Sequence, residues 1–330
     1  MNIVLVGKFP QGTKELFRKL LPDSEYDVKT VDTEEEYEKL TEADVIVLRI
    51  FKLVDKDIER NPNLKLIEKW GAGFDTIDIK AAGKAGVPVC NVPGANAYAV
   101  SDLAILHMLA VMRNLIKHHE NMKKGNWTKN EFMDTTYSLL NKTLGLIGLG
   151  SIGKQVAYKA QAFGAKVAYY DVCRLTIEEE QKLQIEYLPF EDLLRTSDVI
   201  SLHTPLNEQT RNLIGKRELG FMKPTSIIIN TGRGGLIDEK ALIEAINEKK
   251  IMGAGLDCFA DEPITADNPI LHLENVVLTP HVGGTSSELM ESMVPAMVKN
   301  IVALKQGKAL EAIVNKQYLN EAALLGKEPR

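Results

Sequence analysis

The segment from Thr143 to Asp171 constrains the fold more than any other part of the chain. It contains an apolar run, TLGLI, then the glycine pattern GLGSIG at 148–153, then an amphipathic stretch, and finally a second apolar run that ends in Asp171. Three glycines at these offsets also occur by chance. Here, however, a strand precedes them, a helix follows, and an acidic residue lies about 20 positions further on, as a dinucleotide-binding βαβ unit requires. The segment therefore predicts an open parallel α/β sheet that binds a dinucleotide.

Each position of the glycine pattern has a physical role in holding a pyrophosphate. Gly148 permits the tight turn, Gly150 lets the backbone approach the phosphates, and Gly153 allows close packing of helix on strand. The N-terminus of the helix, at Ser151 and Ile152, would then face the phosphates with free N–H groups. We predict that these five residues bind the cofactor.

Asp171 indicates which dinucleotide is bound. A carboxylate at this position accepts hydrogen bonds from the adenosine ribose hydroxyls and repels a 2′-phosphate, which favours NAD over NADP. Arg174, three residues further on, keeps NADP as the alternative.

Elsewhere the chain also alternates strand and helix patterns. Its first ninety residues form one βα series, and a second series begins at Lys142. The stretch from Ala97 to Lys124 has helical periodicity without Gly or Pro and predicts one long helix that ends at Gly125, while the stretch from about Ser286 to Lys305 predicts another. At 330 residues the chain is about twice the length of one average domain, so two domains are expected.

Composition excludes several classes of function. With 45 acidic and 40 basic side chains the formal charge is −5, and no basic stripe indicates a nucleic-acid partner. No apolar stretch reaches the roughly 20 residues of a membrane span, so no membrane partner is expected. The three cysteines lie far apart and form no pair typical of a disulfide or a metal site, so we expect no metal; without an export signal at the N-terminus, a reducing cytoplasm is the expected location.

Three chemically active side chains follow predicted strands of the second series. They are Arg233 after SIIINTG, Glu262 after GLDCFAD and His281 after VVLTP. Ligands of open α/β sheets bind at the carboxyl ends of the strands. An arginine that binds a carboxylate, a histidine that supplies a proton and a glutamate that keeps the histidine charged would suit the reduction of a 2-oxo acid.

The motifs KWGAGFDTID, GLGSIG, HTPL, NTGRGGLIDE, GLDCFADEP and TPHVGGTSSE, in this order, closely resemble those of the NAD-dependent D-2-hydroxyacid dehydrogenases of the phosphoglycerate dehydrogenase-like type. The resemblance covers essentially the whole chain. It implies two Rossmann-like α/β domains with parallel sheets, linked by crossing helices. A flavodoxin-like substrate domain would comprise residues 1–97 and 288–330, and an NAD-binding domain residues 98–287.

The resemblance also implies the roles of individual residues. His281 would be the acid/base, Glu262 its partner, and Arg233 the group that binds the carboxylate and the oxo oxygen of a small 2-oxo or 2-hydroxy acid. Further cofactor-binding residues would be Thr204, Pro205, Thr231, Gly232, Asp257, Gly283 and Gly284. Substrate contacts would come from Gly71, Ala72, Gly73 and Asn96. A homodimer is implied, with the long helix and the segment 121–137, including Trp127, against the partner.

The choice of substrate depends on the smaller domain. Arg49 matches a position where phosphoglycerate-specific members carry a phosphate-binding arginine, so 3-phosphoglycerate and phosphohydroxypyruvate are the first candidates. Trp70, which precedes Gly71, could instead close over an apolar side chain. Hydroxypyruvate, glyoxylate and other 2-oxo acids therefore remain as alternatives.

Two other functions are compatible with this architecture. NAD-sensing corepressors resemble these dehydrogenases, but the long disordered tails typical of them are not seen in this sequence. Enzymes that act on formate use a Gln–His arrangement, and Glu262 argues against that reading.

Overall fold

The two βα series fold into two units in the computed structural model, which describes residues 1–22 and 24–320. The first unit contains Met1–Asn96 and the chain from Ser286 onward, and the second contains Ala97–Thr285. The final residues of the predicted substrate domain, 321–330, lie outside the described residues.

The first unit contains a five-stranded parallel sheet with the order β2-β1-β3-β4-β5. Its strands are β1 (Asn2–Val6), β2 (Asp27–Val31), β3 (Val45–Leu48), β4 (Leu66–Lys69) and β5 (Val89–Asn91). Strand β3 (VIVL) is buried on both faces, as expected for a parallel sheet covered by helices, which explains its continuous apolar sequence. Strand β4 (LIEK) is equally buried but ends in the charged residues Glu68 and Lys69. This strand order is that of flavodoxin-like folds.

The second unit contains a seven-stranded parallel sheet with the order β12-β11-β10-β9-β6-β7-β8. Its strands are β6 (Thr143–Ile147), β7 (Lys166–Tyr170), β8 (Glu186–Tyr187), β9 (Val199–Leu202), β10 (Ile227–Asn230), β11 (Gly253–Leu256) and β12 (Val276–Leu278). Apart from the additional edge strand β12, this is the doubly wound Rossmann order. The direction of winding reverses between β6 and β9, and ligands of such sheets bind at the carboxyl ends of the strands near this point.

Helices connect the strands in both units. They are α1 (Thr13–Leu20), α2 (Glu34–Glu38), α3 (Asp55–Glu59), α4 (Ile79–Lys84), α5 (Ala97–Met112), α6 (Leu115–Lys123), α7 (Ser151–Ala162), α8 (Ile177–Leu183), α9 (Phe190–Thr196), α10 (Lys216–Leu219), α11 (Glu239–Asn247) and α12 (Leu289–Lys305). Short 3₁₀ turns lie at Met133–Thr135, Gly234–Leu236, Pro269–His272 and Lys316–Tyr318. In the first unit, α12 packs on α1 and β4 and completes a core formed from both ends of the chain.

The prediction of one long helix from Ala97 to Lys124 is wrong. The chain forms α5 and α6, bent by 66°. Asn114 adopts the left-handed conformation with φ of 49°, and its side-chain amide donates to the carbonyl of Thr135 at 3.2 Å. The N–H of Tyr137 donates to the carbonyl of Met112 at 2.9 Å, so residues that follow α6 satisfy the end of α5.

Across residues 1–22 and 24–320, no single helix is long and apolar enough to cross a membrane. The bent pair α5 and α6 passes the same test of length and composition when the two helices are taken together, and much of α5 is buried in the core of the second unit.

Candidate active site

The glycine turn follows β6 and leads into α7. Gly148 has φ of 92°, and a Cβ atom there would lie 2.6 Å from the carbonyl oxygen of His203, which follows the neighbouring strand β9. A Cβ at Gly153 would lie 2.4 Å from the carbonyl oxygen of Gly148, so α7 packs directly on the turn. By contrast, among the described residues no atom beyond the chain neighbours of Gly150 lies within 4 Å of its Cβ position, directly before α7. Space is therefore free at the helix N-terminus formed by Ser151 and Ile152, where a pyrophosphate would fit.

Asp171 follows β7 beside this turn and is fixed by backbone donors. Its Oδ2 accepts from the N–H of Leu149 at 2.8 Å, and its Oδ1 accepts from the N–H of Cys173 at 2.9 Å. A carboxylate oxygen accepts more than one hydrogen bond, so both oxygens retain capacity for ribose hydroxyls.

Arg174 is engaged elsewhere. Its guanidinium forms a bidentate pair with Glu180, at 2.8 and 3.0 Å, and lies 4.6 Å from the centre of the Tyr187 ring. This arrangement weakens the NADP alternative, because the fork that would bind a 2′-phosphate already holds a carboxylate.

The loops after β9 and β10 contain the next group of predicted cofactor residues. Thr204 and Pro205 follow β9, and Thr231 and Gly232 follow β10. Thr231 is buried, and its hydroxyl oxygen has no hydrogen-bond partner among the residues that the structure describes. A buried polar atom without a partner at this edge of the sheet fits a cofactor that would supply one.

Arg233 lies in the turn after β10, which Asn230 braces. The Asn230 side chain accepts from the N–H of Gly232 at 3.0 Å and donates to the carbonyl of Arg233 at 2.9 Å, while the Arg233 guanidinium donates to the Gly232 carbonyl at 2.8 Å. A Cβ at Gly234 would lie 1.8 Å from the carbonyl oxygen of Phe259. The loop after β10 therefore packs on the loop after β11, which leads to Glu262.

Glu262 and His281 form a hydrogen-bonded pair. Glu262 Oε2 lies 2.7 Å from His281 Nδ1, and Oε1 accepts from the N–H of Phe259 at 3.0 Å. Both side chains are partly exposed, with exposed fractions of 36% for Glu262 and 46% for His281. His281 has φ of 52°, a left-handed conformation that few residues other than glycine adopt.

The pair holds its charges in the pattern that acid/base catalysis requires. The hydrogen bond to Glu262 raises the pKa of His281, against the effect of partial burial and the charge of Arg233. Although burial acts to raise the pKa of Glu262, the hydrogen bonds from His281 and Phe259 outweigh it, and the net shift is downward. The result is a carboxylate that favours a protonated imidazole beside an arginine.

Asp257 follows β11 and forms hydrogen bonds to the loop that contains His281. Its carboxylate accepts from the N–H groups of Val282 and Gly283, each at 2.8 Å, and from the hydroxyl of Thr279 at 2.6 Å. Its carbonyl oxygen accepts from the N–H of His281 at 2.9 Å. Asp257, predicted from sequence to bind the cofactor, thus contacts the loop that contains His281 directly. Gly283 provides one of these donors, and Gly284 follows it.

Cys258 lies close to Glu262 and His281. Its Sγ and the ligand-type atoms of Glu262 and His281 lie within 4.8 Å of one another. The thiol donates to the carbonyl of Gly232 at 3.3 Å, and burial raises its pKa, which favours the protonated form over the thiolate that binds metals. The expected absence of a metal stays a prediction.

The predicted substrate residues of the first unit lie at the carboxyl end of its sheet. Gly71 has φ of 122°, and apart from its chain neighbours no atom of the residues that the structure describes lies within 4 Å of its Cβ position. The carbonyl of Ala72 accepts from the side-chain amide of Asn91 at 2.6 Å. Gly73 follows, and Asn96 has a buried side-chain oxygen without a hydrogen-bond partner in the described part of the chain.

Both predicted specificity residues of this unit, Trp70 and Arg49, contact other residues of the same unit. Trp70 is 7% exposed, and its ring lies edge-to-face with Phe9 at 5.0 Å. Arg49 donates to the carbonyl of Lys8, and burial lowers its pKa.

Sequence reasoning missed two residues of the second unit, Thr279 and His107. Neither residue was predicted to contribute to the site, although the Thr279 hydroxyl donates to Asp257 and His107 Nε2 lies 3.1 Å from that hydroxyl. A histidine on the apolar face of α5 was the one signal that could have indicated this contact.

Comparison with known proteins identifies the family of this chain. The family model described as D-isomer specific 2-hydroxyacid dehydrogenase, NAD binding domain, matches residues 105–283. Glyoxylate reductase from Thermococcus litoralis is 41% identical over 291 residues, which is 86% of this chain and 87% of that protein. Hydroxypyruvate reductase from Thermotoga maritima is 40% identical over 293 residues, covering 87% and 94%.

Two further matches bear on substrate and cofactor. D-3-phosphoglycerate dehydrogenase from Methanocaldococcus jannaschii is 40% identical over 88% of this chain, but the match spans only 55% of that protein. Among solved structures, D-lactate dehydrogenase from Aquifex aeolicus, complexed with NAD and lactic acid, is similar with a TM-score of 0.80 and 30% identity, covering 92% of this chain and 96% of that one.

Proposed function

This chain belongs to the D-isomer specific 2-hydroxyacid dehydrogenases, and from that premise we propose that it reduces a small unphosphorylated 2-oxo acid, glyoxylate or hydroxypyruvate, with NADH. Its class as an NAD-dependent 2-hydroxyacid dehydrogenase follows from the family. One observation carries the choice of substrate: this chain is similar to a glyoxylate reductase and to a hydroxypyruvate reductase over most of the length of each. Phosphohydroxypyruvate, the first candidate from sequence, becomes the second.

The contacts of Arg49 and Trp70 support this order. Arg49 was the argument for a phosphorylated substrate, but its guanidinium is bonded to the Lys8 carbonyl and its positive charge is partly desolvated. Trp70 is buried against Phe9, which argues against the sequence-based idea that it closes over an apolar side chain.

The residues of the second unit suit the proposed chemistry. NAD(H), when bound, exchanges a hydride with C2 of the acid. Arg233 would bind the substrate carboxylate with its guanidinium fork. In reduction, His281 would donate a proton from Nε2 to the oxo oxygen while Nδ1 stays bonded to Glu262. In oxidation the neutral imidazole would take that proton back.

The substrate proposal is tested by following NADH oxidation with glyoxylate, hydroxypyruvate, phosphohydroxypyruvate, pyruvate and 2-oxoisocaproate. We expect kcat/KM to be highest for glyoxylate or hydroxypyruvate and to change less than about twofold in Arg49→Ala. A preference for phosphohydroxypyruvate that Arg49→Ala abolishes would overturn the proposal. No turnover despite tight NADH binding would favour an NAD-sensing binding protein.

We also propose that the protein is a homodimer and that its location is the cytoplasm. Support for the dimer comes from large apolar side chains on α5, on α6 and in the segment 121–137 that remain exposed: Leu106, Leu115, Ile116, Met122, Trp127 and Met133. Large exposed apolar side chains that lie close together in the sequence, as here, support the proposal of an interface. The absence of nucleic-acid and membrane partners stays a prediction.

A further inference from the structure

A buried histidine outside the predicted site reaches the loop that contains His281. His107 lies on α5 and is 1% exposed. Its Nε2 is 3.1 Å from the hydroxyl oxygen of Thr279, immediately after β12. The strand beside it makes room for the ring, because a Cβ at Gly255 would lie 2.7 Å from the Cβ of His107. The close approach of helix and strand therefore depends on a residue without a side chain.

The direction of the hydrogen bonds follows from the number of protons. The Thr279 hydroxyl has one proton, and it donates this proton to Asp257 Oδ1 at 2.6 Å. Thr279 can therefore only accept from His107. Burial lowers the pKa of His107, against the charge of Asp257 and a backbone hydrogen bond to Gly255, and this downward shift favours a neutral ring with a single N–H. We assign that N–H to Nε2, the atom that faces Thr279.

Asp257 connects Thr279 to the loop that contains His281. Its two carboxylate oxygens accept from the N–H groups of Val282 and Gly283, and its carbonyl oxygen accepts from the N–H of His281. His281 itself has φ of 52°. A residue in that region keeps its conformation only where surrounding contacts enforce it, and the bonds to Asp257 are such contacts.

We propose that His107 is a positioning residue for catalysis, which acts through Thr279 and Asp257 to hold His281 in its left-handed conformation against Glu262. The inference rests on the acid/base role proposed for His281. Without this role, His107 would be only a core residue of α5. Through Thr279 and Asp257 it provides a polar connection between this helix and the loop that contains His281.

The test compares His107→Leu with His107→Gln. Glutamine presents an amide N–H close to the position of Nε2, while leucine fills space without a donor. In His107→Leu we expect kcat for reduction of the best 2-oxo acid to fall about tenfold, in line with the loss of one buried hydrogen bond. KM for NADH should change less than about twofold. His107→Gln should recover most of kcat.

The pH profile separates a positioning role from a purely structural one. Glu262, Arg233 and Asp257 are the charged groups that act on His281, and its pKa is raised mainly by the bond to Glu262. If His281 turns away from Glu262, that pKa falls. The alkaline limb of kcat/KM for reduction should then move to lower pH in His107→Leu and return in His107→Gln. Loss of stability alone would leave the limb in place.

Two further variants keep the test decisive. If His107→Leu does not fold, Thr279→Val removes the connecting hydroxyl and Thr279→Ser retains it. We expect Thr279→Val to lower kcat and to move the alkaline limb of kcat/KM to lower pH, and Thr279→Ser to recover most of both. His281→Gln is the reference for the proposed function: if that variant turns over normally, the acid/base assignment fails. If His281→Gln is inactive but His107→Leu has the kcat and pH limb of the unmodified enzyme, the positioning role alone is overturned.

Discussion

At the scale of single residues, the proposed chemistry depends on the hydrogen bond between Glu262 and His281. Sequence could place both residues after strands, since each follows a clear apolar run. It could not show that His281 adopts φ of 52° or that Asp257 holds its loop, because these features arise from contacts between residues far apart in the chain. The pair therefore supports predictions that depend on its geometry.

Glu262→Gln should shift the pH dependence of reduction to lower pH. His281 must be protonated to donate, and the hydrogen bond to Glu262 raises its pKa. Activity is therefore present below the raised pKa and lost as pH rises through it. A neutral amide gives up most of this effect, so kcat/KM should fall more at pH 8 than at pH 6. Steady-state rates across this range measure the shift.

The matched control is Glu178→Gln, a change of the same chemistry on the exposed face of α8. Its profile should coincide with that of the unmodified enzyme. An alkaline limb in Glu262→Gln at its original pH would contradict the assignment of that limb to His281.

Glu68 supports a prediction about stability. It lies on β4 with no exposed surface, and burial raises its pKa to about 8, with the Asn300 side chain opposing the shift. The folded state therefore holds a proton that the unfolded chain releases near pH 4.5. Stability is full below that pH and falls as pH rises toward 8, by at most about 1.4 kcal/mol per pH unit.

Glu68→Gln removes this dependence. We expect the variant to be more stable than the unmodified protein at pH 8 and close to it at pH 5, as measured by urea unfolding at the two values. Glu38→Gln, on the exposed face of α2, is the control. Equal slopes of stability against pH in the Glu68→Gln and unmodified proteins would show that Glu68 does not titrate in this range.

At the scale of elements, the periodicity of the sequence predicted most strands and several helices because these are local patterns. The periodicity did not predict features that depend on contacts between residues far apart in the sequence. The break between α5 and α6 depends on Thr135 and Tyr137, which satisfy Asn114 and the carbonyl of Met112. Similarly, the sequence indicated no partner for Asp102 of α5, which pairs with Lys159 of α7 at 2.7 Å.

The left-handed residue at the break supports a prediction from two variants. Asn114→Gly and Asn114→Ala both remove the side-chain hydrogen bonds, but only alanine pays for φ of 49°. The glycine variant should therefore be more stable by about 1 kcal/mol. Urea unfolding of both proteins measures the difference. If alanine is as stable as glycine, the backbone at the break is not left-handed in solution.

At the scale of the whole molecule, each unit was expected from the order of its motifs, and the strand orders that the sequence could not specify are those of flavodoxin-like and Rossmann folds. The number of subunits is not encoded in such patterns. It depends on surfaces, and the second unit exposes Trp127 by 79%, Met133 by 69% and Leu106 by 53%.

These side chains lead to a prediction about assembly. A stable interface buries about 1,600 Å² with apolar anchors at its centre, and Trp is a frequent anchor. We expect light scattering after size exclusion to give about twice the mass of 36.6 kDa, since two chains would cover these side chains.

Trp127→Glu combined with Met133→Glu should shift the mass toward one chain, because charges at the centre of an interface would be desolvated. Val172→Glu changes a side chain that is 87% exposed elsewhere in the second unit and should leave the mass unchanged. A monomeric unmodified protein at all concentrations, or equal disruption by Val172→Glu, would refute this interface.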